Sequence, residues 1–408
     1  MISKLTHALL TACLLLSVMA WAGAQSLSPV FFQASAATAK HVVIITGPTV
    51  GQDNERKFHN WTLALHNILV RDYGYNAETI TLLYDNGQHP VSPTQPDRAS
   101  QSGRASQSDN ASQSDDAPQS DDAAQSGRAS RPDSTSPPGS ASQSDRTPQP
   151  EREPPPINGP ATRDGIWSSF AELSERVNVG DQITIFLIGH GSGAEDEAKF
   201  NIVGPDITGI QFAELLDDFQ HQDLVIINTT SASYGFSTAL SDEGRVVISA
   251  TRSSTERYDP VFSRYFIEAL AGRNGDRDKN NRVSMLEAFN YAKANVAQWY
   301  ESRERLASEH AGLDDNGDTL FTLNPDSGEA DGRLAEIAYI DTLRNEEQTL
   351  TPEALTLKAK MQELERDVFI LRSRKSEFLE ADYWQQMETL LVNLARTTNQ
   401  FTAAENPE

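Results

Sequence analysis

The sequence predicts a three-layer α/β fold, a mainly parallel sheet flanked by helices, with a helical hairpin added at its C-terminal end. Three observations lead there. Short β-branched apolar runs recur at 41–46 (HVVIIT), 79–84 (TITLLY), 183–188 (ITIFLI), 224–227 (LVII) and 245–250 (RVVISA), with the length and composition of strands buried on both faces. Amphipathic stretches of helical period lie between them, the alternation that gives right-handed crossovers in a parallel sheet. From Ala354 through Leu357, Met361, Leu364 and Val368 to Leu371 the apolar residues then follow alternating three- and four-residue spacing, a coiled-coil seam.

In chain order, Lys4, the apolar residues 9–19 and Ala22-Gly23-Ala24 read as an export signal over 1–24, cleaved after Ala24. The expected product is periplasmic or secreted. Leu10-Thr11-Ala12-Cys13 also fits a lipoprotein cleavage box, so lipid anchoring at Cys13 is the alternative. Cys13 is the only cysteine in the sequence. A chain cleaved after Ala24 has none, which excludes structural disulfides and a cysteine nucleophile alike. No other stretch reaches the length of a membrane span. The net charge of −24, from 58 acidic and 34 basic residues, argues against nucleic-acid partners.

The first strand ends at Gly47-Pro48. A helix is expected over about 57–72, with Phe58, Trp61, Leu65, Ile68 and Leu69 on one face, ended by Gly74. After the second strand, residues 87–160 change character. From Ala99 a six-residue unit repeats (ASQSGR, ASQSDN, ASQSDD, APQSDD, AAQSGR) without a large apolar residue. Such a segment buries too little surface to offset its ordering entropy, and it reads as a disordered insertion within an α/β domain of 40–86 and 161–325. Thr162 is the expected N-cap of the helix that follows, with Ile166, Phe170 and Leu173 facing inward. Helices are also expected over 211–219, 260–271 and 285–300. Thr351-Pro352-Glu353 opens the first helix of the hairpin over 349–400, and 381–397 forms the second, through Tyr383, Trp384, Met387, Leu390, Leu391 and Leu394.

The third strand runs into Gly189-His190-Gly191-Ser192-Gly193, and the fourth into Asn228-Thr229-Thr230-Ser231-Ala232-Ser233. In an open α/β sheet the carboxyl ends of strands carry the chemistry, so His190 and this Ser/Thr cluster are expected to share one edge. The order of strand, His-Gly, strand, nucleophile-position loop and the following SATRS strand end resembles the caspase and legumain superfamily of cysteine peptidases, the legumain-like (C13-type) branch most closely. The resemblance covers roughly 40–325 apart from the insertion. It implies that His190 stands where that family has its base and Ser231 where it has its cysteine. It also makes Arg252 and Ser253, after the fifth strand, candidates for the substrate pocket; a surface ion pair is the plainer reading of Arg252. Asn228 is read as capping its turn rather than stabilising an oxyanion.

A serine hydroxyl needs strong activation by a histidine that a carboxylate orients, whereas a cysteine is partly ionised near neutral pH. Three readings therefore stand: a catalytically silent homologue that binds a peptide or protein partner through the cleft; a serine-dependent hydrolase using Ser231 and His190, with Asp181, Glu195 or Asp196 as orienting carboxylate; and a structural or assembly module, with self-association through the C-terminal helices. The plain reading of His-Gly is a strand-end turn that needs its glycines.

Residues 276–287 (DRDKNNRVSMLE) fit a calcium loop. Asp276, Asp278, Asn280, Ser284 and Glu287 supply side-chain oxygens at its positions 1, 3, 5, 9 and 12, and Arg282 a carbonyl at position 7. Asn281 takes the sixth position, where glycine is usual. Calcium is the one cofactor implied; the alternative is a capping box of Ser284 and Glu287 at the start of a helix. A second acidic stretch, 310–318, lacks the twelfth-position glutamate and reads as a tight turn.

Overall fold

The computed structural model describes residues 39–49, 52–89, 154–326, 331–341 and 350–405. The expected export signal and residues 90–153 of the repeat insertion lie outside the described residues.

Strand β1 (Lys40–Thr46) is followed by helix α1 (Gln52–Asp72) and β2 (Ile80–Tyr84), then α2 (Arg163–Ser174) and β3 (Gln182–Ile188). Three short strands, β4 (Gly191–Ser192), β5 (Lys199–Phe200) and β6 (Ile207–Thr208), lead to α3 (Gly209–Leu216), β7 (Asp223–Asn228), α4 (Ser233–Thr238) and β8 (Arg245–Ser249). Helices α5 (Phe262–Leu270) and α6 (Met285–Glu301), strand β9 (Gly312–Asp314) and a short α7 (Arg333–Ile337) complete the α/β body, and α8 (Pro352–Ser373) and α9 (Glu380–Glu405) follow. The main sheet has the order β2-β1-β3-β7-β8-β9, with every pairing parallel except that of β9 along β8.

The strands are buried on both faces, and alternate residues feed separate layers. Val42, Ile44, Phe186, Ile188, Val225 and Ile227 pack under α1, α5 and α6. Val43, Ile45, Ile185, Leu187, Leu224 and Ile226 pack under α2 and α3. This is the three-layer α/β architecture expected from the sequence. Truncating a fully buried ring such as Phe186 or Phe212 to alanine removes about 3–5 kcal/mol of stability.

Local chemistry sets the helix ends. Thr162 accepts from Gly165 N at 3.1 Å and caps α2, Thr208 and Gln211 form a capping box at α3, and Thr351 accepts from Ala354 N at 3.1 Å ahead of Pro352. Helix α1 begins about five residues earlier than its apolar face suggests, because its first turn is polar and carries no periodic signal. Three features left no period to read: the small sheet β4-β5-β6, the edge strand β9, and α7. The chain returns from the insertion already paired. Leu82 N donates to Asn158 Oδ1 at 2.7 Å and Tyr84 N to Gly159 O at 3.1 Å, a few residues before the expected resumption at 161.

The C-terminal helices pack together. Ala354 and Met361 of α8 meet Phe401 of α9, and Leu371 meets Tyr383 and Met387. Phe401 lies beyond the expected end of α9 and closes the far end of the seam. No helix among the described residues is long and apolar enough to cross a membrane.

Candidate functional site

At the carboxyl edge of the sheet, β3 ends and the chain turns through Gly189, whose φ of +148° is strained for other residues. Gly191 is fixed by close approach: a Cβ there would meet Ser231 O at 2.2 Å. The Gly191 approach holds the β3 turn, which carries His190, against the β7 turn.

His190 Nδ1 lies 2.9 Å from Asp259 Oδ1, and Lys57 Nζ lies 2.7 Å from Asp259 Oδ2. The ring of Phe58 packs edge-on against His190, centroids 5.0 Å apart. Burial raises the Asp259 carboxyl, but hydrogen bonds from His190 and Lys57 outweigh it and hold the group down at about 2. Asp259 is therefore an anion that orients the His190 ring. Asp259 precedes Pro260 in the β8–α5 loop, about seventy residues from His190, and no sequence spacing ties the two together. None of the carboxylates considered from sequence fills this role. Asp181, at the opposite end of β3, accepts from Ala39 N at 2.6 Å and Asn178 N at 2.8 Å; Glu195 and Asp196 are exposed in a 3-10 turn.

Ser231 is 2% exposed. Its Oγ accepts from Gly191 N at 3.2 Å and donates to Gly191 O at 3.3 Å, so the hydroxyl is committed to the backbone beside His190. Asn228 caps the turn: its Oδ1 accepts from Thr230 N at 3.1 Å and Thr230 Oγ1 at 2.7 Å, and its Nδ2 donates to Ser237 Oγ at 3.2 Å. Ser233 is buried against Ser249 and Thr251 at 2.9 and 3.0 Å. Between Ser231 and Ser233, Ala232 adopts φ +48°, a left-handed conformation that costs a non-glycine residue about 1 kcal/mol or more.

The loop after β8 is braced by Glu256. Its carboxylate accepts from Arg252 N at 3.1 Å, His310 N at 3.0 Å and His310 Nδ1 at 2.5 Å, and its carbonyl accepts from Ala232 N at 2.9 Å. Arg252 Nε lies 3.5 Å from Glu256 Oε1 with its side chain half exposed, the surface ion pair. Ser253 Oγ bonds Thr255 Oγ1 at 2.8 Å. The structure thus gathers His190, Ser231 and the Arg252–Ser253 loop at one edge. Asp259, Lys57, Glu256 and His310 are the members the sequence did not announce.

The acidic loop 276–287 lies elsewhere. Ligand-capable oxygens of Asp276, Asp278 and Glu287 fall within 4.8 Å of one another. Asn281, at φ +64°, takes the left-handed turn its position requires. Asp276 and Asp278 accept from the amide of Asn280 at 3.1 and 3.0 Å. Glu287 forms the capping box: Oε2 accepts from Ser284 N at 2.9 Å, while Oε1 accepts from Arg277 N at 2.9 Å. Burial, with Glu287 and Asp276 nearby, pushes Asp278 up to about 6. Asp278, Asn280 and Glu287 also line a cavity of about 1080 Å³ that reaches α8 and α9, an open route to the loop. The second acidic stretch is a tight turn after β9: Asp314 Oδ1 accepts from Asn316 N at 3.3 Å and Gly317 N at 2.9 Å.

No family model and no curated protein sequence matches this chain.

Proposed function

We propose that this chain is an exported, catalytically silent relative of the caspase and legumain peptidases that binds an extended peptide or a protein partner at the carboxyl edge of its sheet. The observation that carries the reading is Ser231, buried and hydrogen-bonded to the Gly191 backbone where a nucleophile would have to be presented. The only cysteine, Cys13, lies within the expected export signal.

One observation favours the second reading, a serine-dependent hydrolase: the Asp259–His190 pair has the geometry of an oriented base. Incubating the full chain with legumain- and caspase-type peptide substrates separates the two. The silent reading expects no turnover and no difference between the parent and Ser231→Ala; turnover lost on that substitution makes the chain a hydrolase.

Calcium at Asp276, Asp278 and Glu287, with Asn280, Ser284 and the Arg282 carbonyl, belongs to the same proposal. The converging carboxylates repel one another until a cation joins them. Calcium is expected to raise the Tm of the parent and not that of Glu287→Ala; a parent whose Tm ignores calcium ends this part of the reading.

A further inference from the structure

A second group of ligating side chains, outside both sites above, gathers at the end of β2. His59 on α1, Tyr84 at the last position of β2 and His89 in the loop that leaves it turn their rings toward one another. Centroids stand 5.7 Å apart for His59 and Tyr84, 5.8 Å for His59 and His89, and 6.1 Å for Tyr84 and His89. His59 and His89 meet nearly edge to face, at 75°.

The hydrogen bond of His89 fixes what its ring can offer. Nε2 lies 2.7 Å from the carbonyl of Pro155, and a carbonyl only accepts, so Nε2 carries a proton. In the neutral ring Nδ1 then bears the lone pair. Nδ1 is buried and has no hydrogen-bond partner among the described residues. A backbone carbonyl on one imidazole nitrogen with a lone pair presented by the other is the usual dress of a metal-binding histidine.

The spacing agrees. With metal–nitrogen bonds of about 2.0–2.1 Å, two imidazoles on one tetrahedral ion place their centroids roughly 5 Å apart. The observed 5.8 Å needs only a small closing motion. The phenol of Tyr84, the third ring of the group, would be the third donor, and solvent can complete the shell.

The geometry points to a transition-metal site formed by His59, His89 and Tyr84, for an imidazole-preferring divalent ion such as Zn²⁺ or Cu²⁺ rather than Ca²⁺. The ion fastens α1 to the segment that leaves β2. Because Phe58, the neighbour of His59, packs on His190, the same ion fixes α1 beside the candidate site. Simple aromatic packing of the three rings is the competing account, and it requires no metal.

The test is calorimetric titration of the full chain with Zn²⁺, alongside His59→Gln, His89→Gln and Glu287→Ala variants, each checked for folding by circular dichroism. Binding is expected in the parent, at least about tenfold weaker in each histidine variant and unchanged in Glu287→Ala. Electron paramagnetic resonance of the Cu²⁺ form is expected to show two nitrogen donors in the parent and one in either histidine variant. No binding to the parent, affinity that survives both histidine substitutions, or Cu²⁺ nitrogen couplings that do not change with either one overturns the assignment.

Discussion

The two ends of the main sheet each carry an ion cluster, and the clusters differ in almost every physical respect. At the carboxyl end, Lys57, Asp259 and His190 are each a little under one-third exposed and lie between loops. At the amino end, Arg282 and Asp341 are 3.2 Å apart and about 5% exposed, and Arg282 Nη1 also lies 2.9 Å from Glu365 of α8. The guanidinium stacks on the Tyr339 ring at 3.4 Å, and Lys40 donates to the Tyr339 carbonyl. Burial pushes Lys40 down to about 8 despite Asp341 nearby, while Arg282 and Lys40 hold Asp341 well below the usual carboxylate range against its own desolvation. One cluster is open enough to meet a ligand. The other is sealed and joins the α/β body to the C-terminal hairpin through Arg282 and Glu365, with Arg372 and Glu336 adding a second tie at 2.6 Å. Exposure, and not the kind of residue, separates a candidate site from a fastening.

The largest expected effect follows from that seal. Arg282→Ala leaves Asp341 buried without its main partner, which costs about 3–5 kcal/mol. Urea denaturation of the full chain measures it. A loss below about 1 kcal/mol would place this cluster in the range of exposed pairs and erase the contrast between the two ends.

At the open end the effect is smaller and depends on pH. Asp259 sits at about 2 in the folded protein, below the ordinary carboxylate value of 3.8. Its ionised form therefore stabilises the fold above about pH 4, and that contribution disappears as the pH falls through about 2. Asp259→Asn is expected to lower stability at neutral pH by roughly 1–2 kcal/mol and to flatten the decline between pH 4 and 2. Thermal melts across that range read it directly; parallel curves for parent and variant would mean that Asp259 is not held by His190 and Lys57.

The same division explains what could be read from the sequence. Strands, helices and capping residues announce themselves through local period: the β-branched runs, Thr162, Ser284 with Glu287, and the seam from Ala354 to Leu371 all depend on neighbours a few positions away. His190 and Ser231 were legible because each follows a strand. Asp259 was not, since its partnership with His190 spans a crossover whose geometry exists only in the folded sheet. Arg282 was read as a carbonyl donor in an acidic loop, and its side chain points the other way into the amino-end cluster. His59, Tyr84 and His89 come from three elements, and nothing in their spacing joins them. The repeat insertion gave a compositional reading alone, because it has no period that a core could use.

The smallest effect tests how open the carboxyl end is. Lys57 contributes one hydrogen bond to Asp259, and its ammonium lies 5.1 and 5.3 Å from the ring centroids of Phe58 and Trp61. With its side chain 30% exposed, water replaces much of what the ion pair supplies. Lys57→Met keeps the stem that covers the aromatic rings and removes only the charge, so the expected loss is below about 1 kcal/mol. His190 still holds Asp259 on its other oxygen, and the low value of Asp259 is expected to rise only in part. Carbon-13 NMR titration of the Asp259 carboxyl follows that shift. A return to the ordinary carboxylate value would show that Lys57 rather than His190 holds the anion, and the case for His190 as an oriented base would weaken with it.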